Sequence, residues 1–214
     1  MGLKLTENEN KPILELGQGH GSTQKIHDYS TGEKKKAFSV DTHEEWSKKF
    51  EHLNNKYHSL EFVESGINLD NWLREVTKND ISVCLVDHAP GARRQSDTAM
   101  IHDKCSIMVL HDTENCSSAN YNYENIWNLF KYRLDCTYIP SHGGDMVMTS
   151  LEDDDIVGEC FNMGTMVSNK YNLDVFSGLE LNGFKFKKRE NLYAIDHPIN
   201  QIRRERFLEL RGLL

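Results

Sequence analysis

The hydrophobic positions of this 214-residue chain fall into two kinds of run that alternate along its first half. Residues 13–16, 37–40, 81–86 and 106–110 are short and almost wholly apolar, the pattern of strands buried on both faces of a parallel sheet. Residues 59–64 alternate apolar and polar, which predicts a further strand. Between these runs the apolar residues recur at spacings of three and four: Trp46, Phe50 and Leu53, then Leu69, Trp72 and Val76. That period marks helices with one covered face. Helices are predicted over residues 22–29, from Thr42 onwards, and over 68–78, 93–103 and 122–131. Thr42 and Glu45 have the spacing of a capping box, in which each side chain satisfies a free backbone N–H of the first turn. Strand and helix patterns in alternation predict an α/β fold: a Rossmann-like, mostly parallel sheet with helices on both faces.

Further along, residues 137–139 and 146–148 read as closing strands, an antiparallel pair around Gly143 and Gly144. The pattern weakens after that. The chain is therefore read as a single domain, residues 1–214, with a core over about 11–150 and a C-terminal extension, 151–214, that packs on the core and helps shape the acceptor site. The acidic run at 152–155 reads as a solvated turn. Residues 198–214 predict an amphipathic helix with Ile199, Ile202, Leu210 and Leu214 on one side, suited to packing on the domain or to a dimer contact.

Charge and cysteine content narrow the function classes. The formal net charge is −8, from 33 acidic and 25 basic residues, so no nucleic-acid partner is expected, because such a partner calls for a basic face. No apolar run reaches the roughly 18 residues of a membrane span, and residues 1–12 lack the apolar core of a signal peptide. The five cysteines are odd in number and form no C-x-x-C pair. Zinc and disulfide frameworks are disfavoured, and a reducing, cytoplasmic setting is expected, the host cytoplasm if the protein is viral.

The chemistry concentrates at the strand ends. In open α/β sheets ligands sit outside the C-terminal ends of the strands, where the strand order reverses. Glu15, Asp41, Glu64, Asp87 and the pair His111-Asp112 all stand at such ends. The first run leads into Glu15-Leu16-Gly17-Gln18-Gly19-His20-Gly21-Ser22. Glycines let a backbone turn sharply and approach a ligand closely. Asp41, ending the second run, is placed to accept the hydroxyls of a ribose with Thr42 beside it, and Glu64 or Ser65 to face an adenine edge. Asp87 and His111 end adjacent strands if the usual order holds. Either could take a proton from an attacking hydroxyl, with Asp87 the first choice of base, His111 the second and His88 a further candidate. Arg93 and Arg94 suit an acidic or hydroxyl-rich substrate, with an ion pair to Asp97 on the same helix as the alternative. Asp87, His111 and Asp112, with Glu114 nearby, also offer the donors that Mg²⁺ or Mn²⁺ accepts.

A strand ending in Glu-x-Gly-x-Gly-x-Gly resembles the first motif of the class I S-adenosylmethionine (SAM) dependent methyltransferases. The resemblance implies SAM as cofactor, held by Glu15, Gly17, Gly19, His20, Gly21, Ser22, Asp41, Thr42, Glu64, Ser65 and Asp87. A second pattern, Asp87-His88-Ala89-Pro90-Gly91 with Arg93, Ala99 and then His111-Asp112, is similar to polysaccharide O-methyltransferases, namely the plant glucuronoxylan enzymes and the sugar O-methyltransferases of large algal viruses. His88 departs from the plant pattern, which has Gly there. This resemblance implies methyl transfer to a sugar hydroxyl of a glycan or glycoconjugate, in some members with a divalent metal. Three other classes compete with this reading. A nicotinamide-dependent oxidoreductase fits the sheet but not the glycine spacing, and no Tyr-x-x-x-Lys pair follows the fourth run. A nucleic-acid or protein methyltransferase would carry Asn/Asp-Pro-Pro-Tyr where Asp87-His88-Ala89-Pro90 stands. A SAM-binding domain without activity is the third.

Overall fold

The apolar runs become the strands expected of them. In the computed structural model, which describes residues 1–113, 121–138, 162–181 and 184–188, the strands are β1 (Ile13–Leu16), β2 (Ala37–Asp41), β3 (His58–Phe62), β4 (Ile81–Val86), β5 (Cys105–His111), β6 (Tyr132–Tyr138), β7 (Asn162–Ser168), β8 (Glu180–Leu181) and β9 (Phe184–Lys188). They form one sheet of nine strands in the order β3-β2-β1-β4-β5-β7-β6-β9-β8. Strands β1 to β5 run parallel, and from β7 outwards every pairing is antiparallel. The helices are α1 (Gly2–Leu5), α2 (Thr23–Gly32), α3 (Glu44–Ser47), α4 (Ile67–Val76) and α5 (Arg93–Ile101).

Side chains on successive strand residues point to opposite faces, and this divides the core into two layers. Leu14, Leu16, Cys84, Val86, Met108 and Leu110 face one way and pack with Leu69 and Leu73 of α4 and Ile101 of α5. On the other face Ile13 and Ala37 meet Ile26 of α2 and Leu3 of α1. The buried Leu, Ile, Val and Met side chains among these contribute about 1.5–3 kcal/mol each, so the apolar pattern alone accounts for helices on both faces. Cys84 and Cys105 are buried and free, as small hydrophobes. Among the described residues no helix is long and apolar enough to cross a membrane.

Three local expectations are corrected. The capping box at Thr42 and Glu45 does not form. The His43 ring caps α3 instead, its Nδ1 accepting from Trp46 N at 3.2 Å. The Thr42 hydroxyl is engaged elsewhere, donating to the Ala89 carbonyl at 2.5 Å. After one turn α3 tightens into a 3-10 helix, Lys48–Leu53, which still buries Phe50 and Leu53. The helix expected over 122–131 is two short 3-10 turns, Tyr123–Asn125 and Trp127–Leu129. The segment opens with Asn122 in the left-handed region (φ 54°), and Tyr123 is pinned by its hydroxyl to the His111 carbonyl at 3.1 Å. Finally, antiparallel closing strands do form as expected, but the one read at 137–139 begins earlier, at Tyr132, and its partners are β7 and β9 from the weakly patterned part of the chain. The strand at 146–148, the turn at Gly143 and Gly144, the acidic run at 152–155 and the helix at 198–214 lie outside the described residues, as does Glu114.

Strand order reverses between β1 and β4, whose chains leave the sheet towards β2 and β5 respectively. The crevice where ligands bind in such sheets opens there, beside the ends of β1, β2, β4 and β5.

Candidate active site

Two clusters of polar side chains occupy the crevice. The first is the loop after β1 and its supports. Gly17 has φ +96°, and a Cβ there would stand 2.5 Å from the Asp87 backbone. Glycine is required at this position because the ends of β1 and β4 touch. Gly19 and Gly21 differ: a Cβ on Gly19 would meet only Ser22 Oγ, at 3.6 Å, and one on Gly21 would meet nothing within 4 Å. Among the described residues, nothing therefore fills the space above the outer half of the loop. Asp41, the last residue of β2, accepts the Gln18 amide at Oδ2 (3.0 Å) and the His43 amide at Oδ1 (2.8 Å). Burial raises its pKa, with these backbone hydrogen bonds opposing the rise. Thr42, bonded to Ala89, joins the loop after β2 to the loop after β4, across the top of β1.

Glu15 lies beneath this loop and is fully buried. Its carboxyl accepts the Ser39 hydroxyl at 2.5 Å and the Thr23 hydroxyl at 3.1 Å from both oxygens. Thr23 Oγ1 in turn accepts the Gly19 amide at 2.8 Å. Desolvation pushes the Glu15 pKa up to about 7 against the hydroxyl bonds that lower it. Gln18 went unnoticed in the sequence, where it is merely a residue between glycines. It is buried, and its side-chain amide donates to the carbonyls of Ser39 (3.2 Å) and Glu61 (3.1 Å). Its own carbonyl accepts Trp46 Nε1 at 2.6 Å. His20 stands outside the loop in ring contact with Trp46 and Phe50. Ser22 caps the start of α2 without a side-chain bond.

The second cluster sits at the ends of β4 and β5. His111 Nδ1 is 2.9 Å from Asp112 Oδ1 and 3.2 Å from Asp87 Oδ1. Its N–H aims squarely at neither carboxylate, so the attraction is one of charge more than of a directed hydrogen bond. Burial favours the neutral ring, but the two carboxylates outweigh it and push the His111 pKa up to about 10. A pKa in that range disfavours His111 as a base at neutral pH. Asp112 is desolvated, yet His111 and Arg94 hold its pKa down to about 2. Arg94 completes the cluster: its Nη2 and Nη1 lie 2.9 Å from Asp87 Oδ1 and Asp112 Oδ2. Its Nε donates to the His88 carbonyl at 3.0 Å, and its guanidinium stacks 4.3 Å from the centre of the Tyr121 ring. A Cβ on Gly91 would collide with that same ring. Tyr123 falls in the helix expected over 122–131 and Tyr121 just before it; nothing in their spacing announces that they wall the site.

Other expected site residues are placed differently. Arg94 is buried in the cluster, so it organises the two carboxylates and is not an open substrate clamp. Arg93 pairs with Asp70 and with Asp97, at 2.8 Å for the latter, so the ion-pair alternative is the one that forms. His88 faces neither solvent nor the acid cluster: it is buried with Nε2 2.7 Å from Asp97 Oδ2, committed to the core and badly placed for a base. Glu64 lies beyond the end of β3, exposed and bonded to Asn68 at 3.2 Å, with Ser65 half-buried next to it. The ligand atoms of Asp87, His111 and Asp112 all fall within 4.8 Å of one another. That donor set suits a hard divalent ion, which there would compete with Arg94 for both carboxylates and with the proton on His111.

No family model and no curated protein matches this chain. Its fold is similar to that of WbdD in a co-crystal with a kinase inhibitor, at 10% identity and a TM-score of 0.51, over 99% of this chain and 52% of that one. The chain thus spans about half the length of the WbdD structure. An uncharacterized protein from Listeria monocytogenes serotype 4b matches at 11% identity and a TM-score of 0.39, over 80% of this chain and 68% of that one. At such identities the likeness to WbdD is one of fold.

Proposed function

We propose that this protein is a SAM-dependent O-methyltransferase acting on a sugar hydroxyl of a glycan or glycoconjugate. The observation that carries the reading is the unfilled space over Gly19 and Gly21, flanked by Asp41 on one side and by Asp87 with His111 on the other. The sheet adds support. A dinucleotide-binding fold continues its strand order with a parallel sixth strand, whereas here the neighbour of β5 is the antiparallel β7.

When bound, SAM supplies a methyl group on a positively charged sulfur. The chain's contribution is mostly to position and to remove a proton. Asp41, its oxygens already oriented by two backbone amides, would hold the ribose hydroxyls, and the bare backbone at Gly19 would admit close approach. Asp87, with its side chain 37% exposed, accepts the proton of the attacking sugar hydroxyl. Arg94 and His111 hold that carboxyl in place from the protein side. A fixed in-line geometry contributes much of the rate in a displacement of this kind, and the base adds about 10²–10⁴-fold. Where a divalent ion binds, Asp87, His111 and Asp112 hold it, and it would lower the pKa of the acceptor hydroxyl.

The test is transfer of labelled methyl from SAM to a panel of glycans, with wild type and Asp87→Asn. Wild type is expected to label a carbohydrate acceptor, and Asp87→Asn to keep SAM affinity while turnover falls at least about 100-fold. Chelation lowers activity, restored by Mg²⁺ or Mn²⁺, if the metal takes part. Absence of SAM binding to wild type would sink the assignment; normal turnover in Asp87→Asn would remove Asp87 from its role.

A further inference from the structure

The α2 face of the sheet is apolar at Ile13 and Ala37, yet a polar strip crosses it on adjacent strands. Glu15 on β1 stands opposite Ser39 on β2, and Ser39 Oγ lies 2.7 Å from His58 Nε2 on β3. His58 is itself fully buried. Because Ser39 gives its proton to Glu15, its oxygen accepts from His58 Nε2, which leaves His58 Nδ1 bare. Among the described residues that Nδ1 has no hydrogen-bond partner, nor has Nδ1 of His27 on α2, whose ring centre is 5.8 Å away. The strip continues upwards through Thr23 to the amide of Gly19. A carboxyl is thus enclosed between neutral hydroxyls directly under the glycine loop, and among the described residues no cation is bonded to it.

We propose that Glu15 acts as a charge sensor for whatever occupies the loop above it, giving the site its preference for a cationic sulfonium donor over the neutral thioether left after methyl transfer. This rests on the donor reading above. The physical cause is the cost of ionising a carboxyl with no cation beside it. In the empty protein the desolvated Glu15 keeps its proton up to about pH 7. A positive charge placed over the loop favours the carboxylate, so donor uptake releases a proton, and the same proton returns when the charge is lost with the methyl group. Thr23 transmits the change directly, since its hydroxyl bridges the carboxyl and the Gly19 amide. The other titratable groups facing Glu15 are Asp87 at the end of β4, whose charge raises it further, and Cys84 on β4; His58 and His27 act through Ser39. A positioning role is thereby joined to product release.

The experiment compares dissociation constants of SAM and S-adenosylhomocysteine by calorimetry between pH 6 and pH 8. The two ligands share every group except the methyl and its charge, so their affinity ratio cancels the titration of Asp41 and of the loop histidines to the extent that these meet the shared parts. In wild type the preference for SAM is expected to rise about tenfold over this range, since Glu15 goes from mostly protonated to mostly ionised, and SAM binding is expected to release protons in two buffers of different ionisation heat. Glu15→Gln should flatten the ratio at its acid-side value. Ser39→Ala, which removes a donor to the carboxylate, should move the midpoint to higher pH, and it serves if Glu15→Gln does not fold. A ratio that is flat in wild type, or unchanged in slope in Glu15→Gln, overturns the inference while leaving the donor reading intact. Failure of wild type to bind either ligand at any pH overturns both.

Discussion

Gly17 has a positive φ of +96°, and Gly19, two residues further on, does not. Gly17 and Gly19 belong to one motif and look equivalent in sequence, both read as making room for a ligand. The structure separates them. Gly17 is held by a positive φ and by the backbone of Asp87; Gly19 is held by neither. Gly17→Ala is therefore expected to cost about 3 kcal/mol or more, a combination of left-handed strain and a backbone clash, seen as a fall in melting temperature. Gly19→Val should leave the melting temperature nearly unchanged, since only Ser22 Oγ is near, but abolish SAM binding measured by calorimetry. Loss of stability in the second variant would show that the space over the loop is not open. The strand-end acids were legible for the same reason as the glycines: a carboxylate at the end of a buried run has few apolar explanations. His88 and Arg94 are buried by what folds over them, Asp97 and Tyr121, and their places in the chain do not announce this.

Elements pair over distances no local pattern can express. The segment ahead of β1 is tied to the turn after β7 by Glu9, which takes Lys170 at 2.7 Å, the Ser106 hydroxyl at 2.7 Å, Lys11 at 3.3 Å and the Tyr171 hydroxyl. Burial would raise the Glu9 pKa, but the bonds from Lys170, Tyr171, Ser106 and Lys11 outweigh it and lower it to about 2. Because the folded value lies below the unfolded one, the stabilisation is present above about pH 4.5 and is lost as pH falls towards 2. Glu9→Gln is expected to cost about 1–3 kcal/mol at pH 7, with the gap from wild type closing below pH 4.5 in denaturant titrations. A gap that is constant with pH would mean that packing, not charge, holds this clamp. The helix predicted over 122–131 failed at this same scale. Its aromatic residues are anchored singly, Tyr123 to the end of β5 and Trp127 against Tyr123, and two tight turns satisfy those anchors where a straight helix would not.

At the scale of the molecule, cofactor binding must appear as stability, because a ligand that binds only the folded state shifts the equilibrium by mass action. At a SAM concentration about a hundredfold above its dissociation constant the gain is about 2.7 kcal/mol, a rise of about 5–10 °C in melting temperature for a chain of this size. NAD and NADP are expected to give no rise, and a rise with either of them in place of SAM would return the protein to the oxidoreductase class. The periodicity of apolar residues determined the parallel half of the sheet, the helices that cover it and the acidic strand ends, because burial is a local demand that each stretch of chain must meet by itself. The order and partners of the antiparallel strands, the buried strip from Glu15 to His58, and the gathering of Asp87, His111, Asp112 and Arg94 were decided only in three dimensions. Those contacts join residues far apart in the chain, and charges acquire their partners, their desolvation and hence their chemistry only when strand order brings them together.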